Sequence, residues 1–314
     1  MSARLRYTGL FAAIVIAAFG VAYLPLSPLP VRADEPCTVQ HPLMPPMKEF
    51  SGQCPNCGMV RSMWARTWMT FKNSQGDFGV CSFHCLADMA MKSGEEPQNV
   101  MTALYLDPKQ MISADKASFV VGSKAKGTMT MKSKLAFPSK AEAEEFAKAC
   151  GGEVVGFAEA LKMAKAGVPK ENVVITKNRL DAGKIVEPAD NTDQCPVCAM
   201  YPARYPKNKC QIATEDKKVY HFCSTQCLFE FLKDPTQYAK KEVKPFLLWV
   251  IDYPSGAWIS GRTAYYVVGS KVQGPMGHEA IAFDAKKSAE EMASKEGGKV
   301  LTFSEVGPDK IKPK

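Results

Sequence analysis

Histidine is scarce in this chain: four in 314 residues, against 11 cysteines and 16 methionines. Any metal-ligand set must therefore be built mainly from sulfur. The net charge is +8, but Arg4, Arg6 and Arg32 all precede residue 34, and the remaining basic residues are mostly scattered lysines without interleaved aromatics. That distribution reads as a solubilising surface and argues against a nucleic-acid partner. No nucleophile, base and orienting group stand together, so no catalysis is expected. Long apolar runs are also lacking. The N-terminal one, Leu10 to Leu24, is near 15 residues, short for the ~20 of a membrane span. It follows the charged Arg4 and Arg6 and precedes Val31-Arg32-Ala33. Residues 1–33 thus read as an export signal cleaved after Ala33. The competing reading is an uncleaved N-terminal anchor, which would bring the protein to a membrane surface. Cys37 follows Asp34-Glu35-Pro36 and does not look lipid-modified. Either way a periplasmic or other extracytoplasmic location is expected, where disulfides persist.

What is present is a chain that repeats itself. "CPNCGM" (54–59) returns as "CPVCAM" (195–200), and "VCSFHC" (80–85) as "FCSTQC" (222–227). "VVGSKAKGTM" (120–129) returns as "VVGSKVQGPM" (267–276), and "GGEVVGF" (151–157) as "GGKVLTF" (297–303). Order is kept and the offset drifts only between 141 and 147. This is a tandem duplication, with a first unit at 36–165, a linker at 166–187 and a second unit at 188–309. The linker is mixed and charged, with one short strand expected at Asn172–Thr176.

The second unit shows its elements more plainly. "KCQIATEDKKVYHF" is two β-rich runs around a charged turn. "STQCLFEFLKDP" opens on a Ser/Thr cap, has helical spacing and ends at Pro235. "PFLLWVIDY", "GAWIS" and "AYYVVGS" read as strands. "DAKKSAEEMASKEGG" is an amphipathic helix with Asp284 as its N-cap candidate and Gly297-Gly298 as its stop, and "KVLTF" is a last strand. Each unit therefore reads as ββαβ followed by ββαβ: an α+β fold with helices packed on antiparallel or mixed sheets.

In each unit the second cysteine pair falls where a strand pair feeds a helix. Cys81 and Cys85, like Cys223 and Cys227, are four apart, so both thiols point from one helical face. Cys54 and Cys57, and Cys195 and Cys198, lie upstream on a loop. Three readings compete for these thiols. One is structural, a four-cysteine zinc site or two disulfides. One is a redox dithiol, although such motifs usually open a helix after a strand. One is a soft-metal site, since Met59 and Met200 follow the second cysteine of each loop and thiolate with thioether selects Cu(I). On the cysteines alone the structural reading ranks first. "GPMGHEAIAF" shifts the balance, because it puts Met276 and His278 on a glycine-rich turn whose first-unit counterparts are Met129 and Met131. Exchanging His for Met is poor for zinc and acceptable for Cu(I); the rival explanation is methionine packing.

"CPVCAM", "WVIDY", "AYYVVGS", "GPMGHEAIAF" and "GGKVLTF" together resemble the nitrous-oxide-reductase accessory (NosL-type) copper-binding proteins. The resemblance spans most of 195–306 and, more loosely, 54–157. It implies an extracytoplasmic, usually membrane-anchored Cu(I) carrier with two ββαβ modules, tied to maturation of a copper enzyme. Its cysteine–methionine motif falls on Cys54, Cys57 and Met59, and on Cys195, Cys198 and Met200. Its methionine–histidine motif falls on Met276 and His278, and in part on Met129 and Met131. Ala199 stands where the family has Gly, and the Cys81/Cys85 and Cys223/Cys227 pairs lie outside the family signature. The expected partners are a copper-enzyme apoprotein or a copper transporter. Zinc is the alternative cofactor.

The remaining features read more plainly. Cys210 is expected as a buried small residue, Cys150 as a surface thiol and Cys37 as part of a flexible Pro-rich leader containing His41, Met44 and Met47. His84 and His221 are either ligands or hydrogen-bond partners, and the four tryptophans are packing residues.

Overall fold

The computed structural model describes Cys37, Leu43, Met44 and residues 52–311. The expected export signal, His41 and Met47 lie outside the described residues. The first unit runs α1 (Arg61–Trp64), β1 (Met69–Asn73), β2 (Gly76–Val80), α2 (Phe83–Ser93), β3 (Gln98–Ala103), β4 (Met111–Ser113), β5 (Ser118–Val121), β6 (Lys134–Phe137), α3 (Lys140–Cys150) and β7 (Glu153–Val155). Helix α4 (Phe157–Asp181) follows. The second unit runs β8 (Cys210–Thr214), β9 (Val219–Phe222), α5 (Thr225–Lys233), α6 (Pro235–Ala239), β10 (Pro245–Ile251), β11 (Trp258–Ser260), β12 (Tyr265–Val268), β13 (Ala280–Phe283), α7 (Lys286–Glu296), β14 (Lys299–Thr302) and α8 (Pro308–Ile311).

Each unit has a four-stranded sheet, β2-β1-β3-β4 or β11-β10-β8-β9, and a three-stranded sheet, β6-β5-β7 or β13-β12-β14. Every pairing among these strands is antiparallel. The two ββαβ modules per unit are present, with one strand reassigned. "GAWIS" pairs with β10 as the edge of the first module, and Ala280–Phe283 supplies the second module's hairpin strand. The period-2 pattern of β8 directs Cys210 and Ile212 inward against Phe222 and Leu228. Ser224 caps α5 by accepting from the Cys227 amide, 3.1 Å. The duplicated Gly-Gly has a steric cause. Gly298 has φ +97°, and a Cβ there would stand 2.7 Å from the Val268 carbonyl oxygen; Gly152 meets Val121 in the same way.

Three expectations are corrected. The linker with a strand at Asn172–Thr176 is instead the second half of α4, which continues through Gly167 and Pro169 to Asp181. Ala160, Leu161, Ala164 and Val168 form a buried stripe against α2, and that packing outweighs two poor helix formers. Cys150 is no surface thiol and Cys37 no free leader residue: they form a disulfide, and Cys150 is 1% exposed. The helix end that bears Cys150 faces the core of Tyr105, Leu135 and Phe137, where Cys37 joins it. Finally, Asp284 does not cap α7, whose N-cap is Ala285. It pairs with Lys92 of the first unit at 2.8 Å.

Lys92 also binds Asp88 at 2.8 Å, and Asp88 accepts from Asn56 (2.8 Å) and Asn172 (3.0 Å). One carboxylate thereby joins α2, the Cys54–Cys57 loop, α4 and, through Lys92, the second unit. Burial disfavours the Asp88 anion, but Lys92 and the two amides hold its pKa below the usual carboxylate range. The contribution of this group is therefore present above that range and lost as pH falls through the depressed value. Lys92→Met strands a buried carboxylate and should cost about 3–5 kcal/mol in urea unfolding at neutral pH. Asp284→Asn, at a partner 37% exposed, should cost about 1 kcal/mol or less. Equal costs would contradict this ranking.

Candidate metal centres

Each cysteine loop is a tight knuckle. The Cys54 amide donates to the Met59 carbonyl and the Gly58 amide to the Cys54 carbonyl, both 2.8 Å. Cys195, Met200 and Ala199 repeat the pair of bonds at the same length. The knuckle faces the junction where a hairpin's second strand enters a helix, which presents Cys81 and Cys85, or Cys223 and Cys227, four residues apart. The result is two groups of four sulfurs: Cys54, Cys57, Cys81 and Cys85, and Cys195, Cys198, Cys223 and Cys227, each with all Sγ atoms within 4.8 Å of one another. Neighbouring sulfurs stand at 3.4 Å (Cys57–Cys81) and 3.6 Å (Cys81–Cys85) in the first, and at 3.3 Å (Cys198–Cys223) and 3.8 Å (Cys223–Cys227) in the second. Four sulfurs about 2.3 Å from a central ion would be about 3.8 Å apart. The spacing and the donor set fit a soft or borderline d10 ion. Three thiols of each group are buried; Cys57 and Cys198 are half-buried.

The methionines divide. Met59 and Met129 are half-buried against the core that contains the first group, as are Met200 and Met276 against the second. Met276 sits in a turn closed by reciprocal bonds between Gly274 and Gly277. Neither Met131 nor His278 is buried with the sulfurs. Met131 is 79% exposed beyond Met129, whose φ is +57°, and lines a separate cavity with Met163 and Lys132. His278 is exposed and lies outside the four-sulfur group. His84 is a hydrogen-bond partner, its Nδ1 donating to Glu171 at 2.7 Å. His221 lies 3.7 Å from the Asp193 carboxylate, also outside the group. Cys210 is buried and donates to the Asn208 carbonyl.

The two groups share one electrostatic pattern. Burial opposes ionisation of Cys54, but hydrogen bonds from Cys57, Cys81 and Cys85 outweigh it and hold the thiol well below its ordinary range. Hydrogen bonds from Cys223 and Cys227 push Cys195 down to about 2. The thiols of Cys81, Cys85, Cys223 and Cys227 are all pushed up, Cys81 chiefly by burial and the others first by their cysteine neighbours. In each group the thiolate form is thus favoured at one cysteine and opposed at the two cysteines of the helix start. A cation at the group's centre would expel the remaining protons.

A NosL family model matches residues 49–164 and again residues 186–311. The chain belongs to the NosL family. It is 32% identical over 124 residues to the copper-binding lipoprotein NosL of Stutzerimonas stutzeri, covering 37% of this chain and 63% of that one. The chain thus spans a little under two thirds of that relative. It is 29% identical over 142 residues to the copper-binding lipoprotein NosL of Achromobacter cycloclastes, covering 40% of this chain and 70% of that one. Among solved structures it is similar to the copper chaperone NosL from Shewanella denitrificans, at 34% identity and a TM-score of 0.35 over 40% of this chain and 96% of that one.

The two NosL units are not equivalent at their knuckles. The first is held by the second unit: Ser260 Oγ donates to the Pro55 carbonyl (2.9 Å), and Gln53 Nε2 to the Phe246 carbonyl (3.1 Å). Gly58 has φ +79°, and a Cβ there would collide with Leu247. Its counterpart Ala199 has φ +62° but is exposed, so a Cβ meets no such obstacle there. Gly58→Ala should lower stability by about 1–3 kcal/mol. Ala199→Gly should change it by less than about 1 kcal/mol. Denaturant unfolding of both variants measures this, and equal effects would refute the asymmetry.

Proposed function

We propose that each unit binds Cu(I) through its four thiols, with Met59 and Met129, or Met200 and Met276, as the adjacent thioethers, and that the protein passes the ion to a copper-handling partner outside the cytoplasmic membrane. The observation that carries this reading is the pair of four-sulfur groups, each in a core against which two half-buried methionines pack. These thiols stay free in a chain that forms a disulfide elsewhere. Close thiols in an oxidising compartment need protection, which a bound soft ion supplies. Relatives named copper-binding lipoproteins support it. The recipient would be a copper-enzyme apoprotein, such as that of nitrous oxide reductase, or a copper transporter. Cys57 and Cys198, the half-buried sulfurs, are the natural points of exchange: a partner's ligand binds the ion as the bond to one of these cysteines breaks. The lipoprotein names and the Cys37–Cys150 disulfide support an extracytoplasmic site. Among the described residues no helix is long and apolar enough to cross a membrane.

A second reading is favoured by the closed form of the sulfur groups. Four thiolates in a tetrahedron also make a structural zinc site. Titration of the reduced chain with Cu(I) against a chromophoric chelator separates the two. The copper reading expects two tight equivalents, loss of one in Cys57→Ser and of the other in Cys198→Ser, and displacement of pre-bound Zn(II). Met276→Leu should weaken the second site about tenfold, or about 1.4 kcal/mol. Affinity no tighter than that of the cysteine variants would overturn this reading.

A further inference from the structure

In the second unit a buried carboxylate ties the methionine turn to the cysteine helix. Glu279, three residues after Met276 and 3% exposed, accepts from the Thr225 hydroxyl and from the amides of Gln226 (3.1 Å) and Ala280 (3.3 Å). Thr225 and Gln226 immediately precede Cys227. At the offset of 147 that aligns Met129 with Met276, the first unit has Lys132 in place of Glu279, and its turn, "GTMTMKSK", contains no acid.

The same connection is nevertheless made. Glu171 comes from α4, at a position that falls between the two family matches. It is 6% exposed and extends the stripe otherwise formed by Ala160, Leu161, Ala164 and Val168. One carboxylate oxygen accepts from His84 Nδ1 (2.7 Å), and His84, the counterpart of Gln226, immediately precedes Cys85. The other accepts from the Thr130 hydroxyl (2.6 Å) and the Met131 amide (3.2 Å), in the turn that bears Met129. An apolar side chain would continue the stripe at lower desolvation cost. A carboxylate bridging the same two elements in both units, from unrelated chain positions, points to a requirement at the site.

We propose that Glu171 is a positioning residue of the first metal site, holding the Met129 turn against the start of α2 as Glu279 holds the Met276 turn against α5. The inference rests on the copper reading above. In the full chain with Cys195→Ser and Cys198→Ser, Cu(I) affinity and the sulfur count from copper X-ray absorption report on the first site alone. Glu171→Leu, which continues the apolar stripe and should fold, is expected to weaken Cu(I) at least tenfold and to lose one thioether-length sulfur. Glu171→Gln, which keeps an acceptor oxygen at the same reach, should stay within about threefold of the parent. With Cys54→Ser and Cys57→Ser instead, Glu171→Leu should leave the second site unchanged. An unaltered affinity and sulfur count in folded Glu171→Leu would overturn the positioning role. No Cu(I) binding with Glu171 intact would overturn the copper reading, and this inference with it.

Discussion

Each unit depends on bringing four sulfurs within bonding distance of one point while most of their surroundings are apolar. Burial makes a cluster of thiols hard to ionise, and packing two thiolates side by side makes it harder. The chain meets this by letting Cys54 or Cys195 take the first negative charge, stabilised by its neighbours' hydrogen bonds. A cation then turns a costly arrangement into a favourable one. The surrounding elements serve that convergence. The hairpin end and helix start fix one cysteine pair, the knuckle fixes the other, and the methionine turn lies over the same core.

Duplication has produced two versions of this arrangement with different surroundings. The first knuckle is locked from several sides: by Ser260 and Phe246 of the second unit, by Leu247 against Gly58, and through Asn56 by the Asp88–Lys92–Asp284 chain. The second knuckle has an exposed Ala199 at the corresponding place. Helix α4 links the versions. Its middle supplies Glu171 to the first site. Beyond its end, Lys184 accepts from Trp249 and Ile185 packs beside Trp249 in the second unit. A helix that joins two repeats has become part of one of them.

Much of this was legible in the residues. The repeated landmarks predicted two units, and cysteines four apart after a strand pair predicted that their thiols would meet. The ββαβ order followed from alternating β-rich and amphipathic stretches. Other features needed the third dimension. The mixed, charged composition of 166–187 signalled a linker, yet α4 runs through Gly167 and Pro169 because its apolar stripe is buried; with the helix unrecognised, Glu171 could not be seen to approach His84. Cys37 and Cys150 are 113 residues apart and have no repeat partners, though their exclusion from the repeated cysteine set was a usable hint. Met131 and His278 align with each other, but alignment says nothing about which way a turn directs a side chain. Asp284 had the right position for a cap and found a half-buried lysine instead.

The central claim, that the eight clustered thiols are occupied by Cu(I) where the protein works, is tested most directly on full-length protein isolated anaerobically from its native compartment. Metal content and alkylation of free thiols are measured together, before and after removal of metal with a strong Cu(I) chelator. The account predicts two copper ions per chain, clustered cysteines that resist alkylation until the copper is removed, and one disulfide throughout. Zinc in both sites, or clustered cysteines recovered as disulfides, would contradict it.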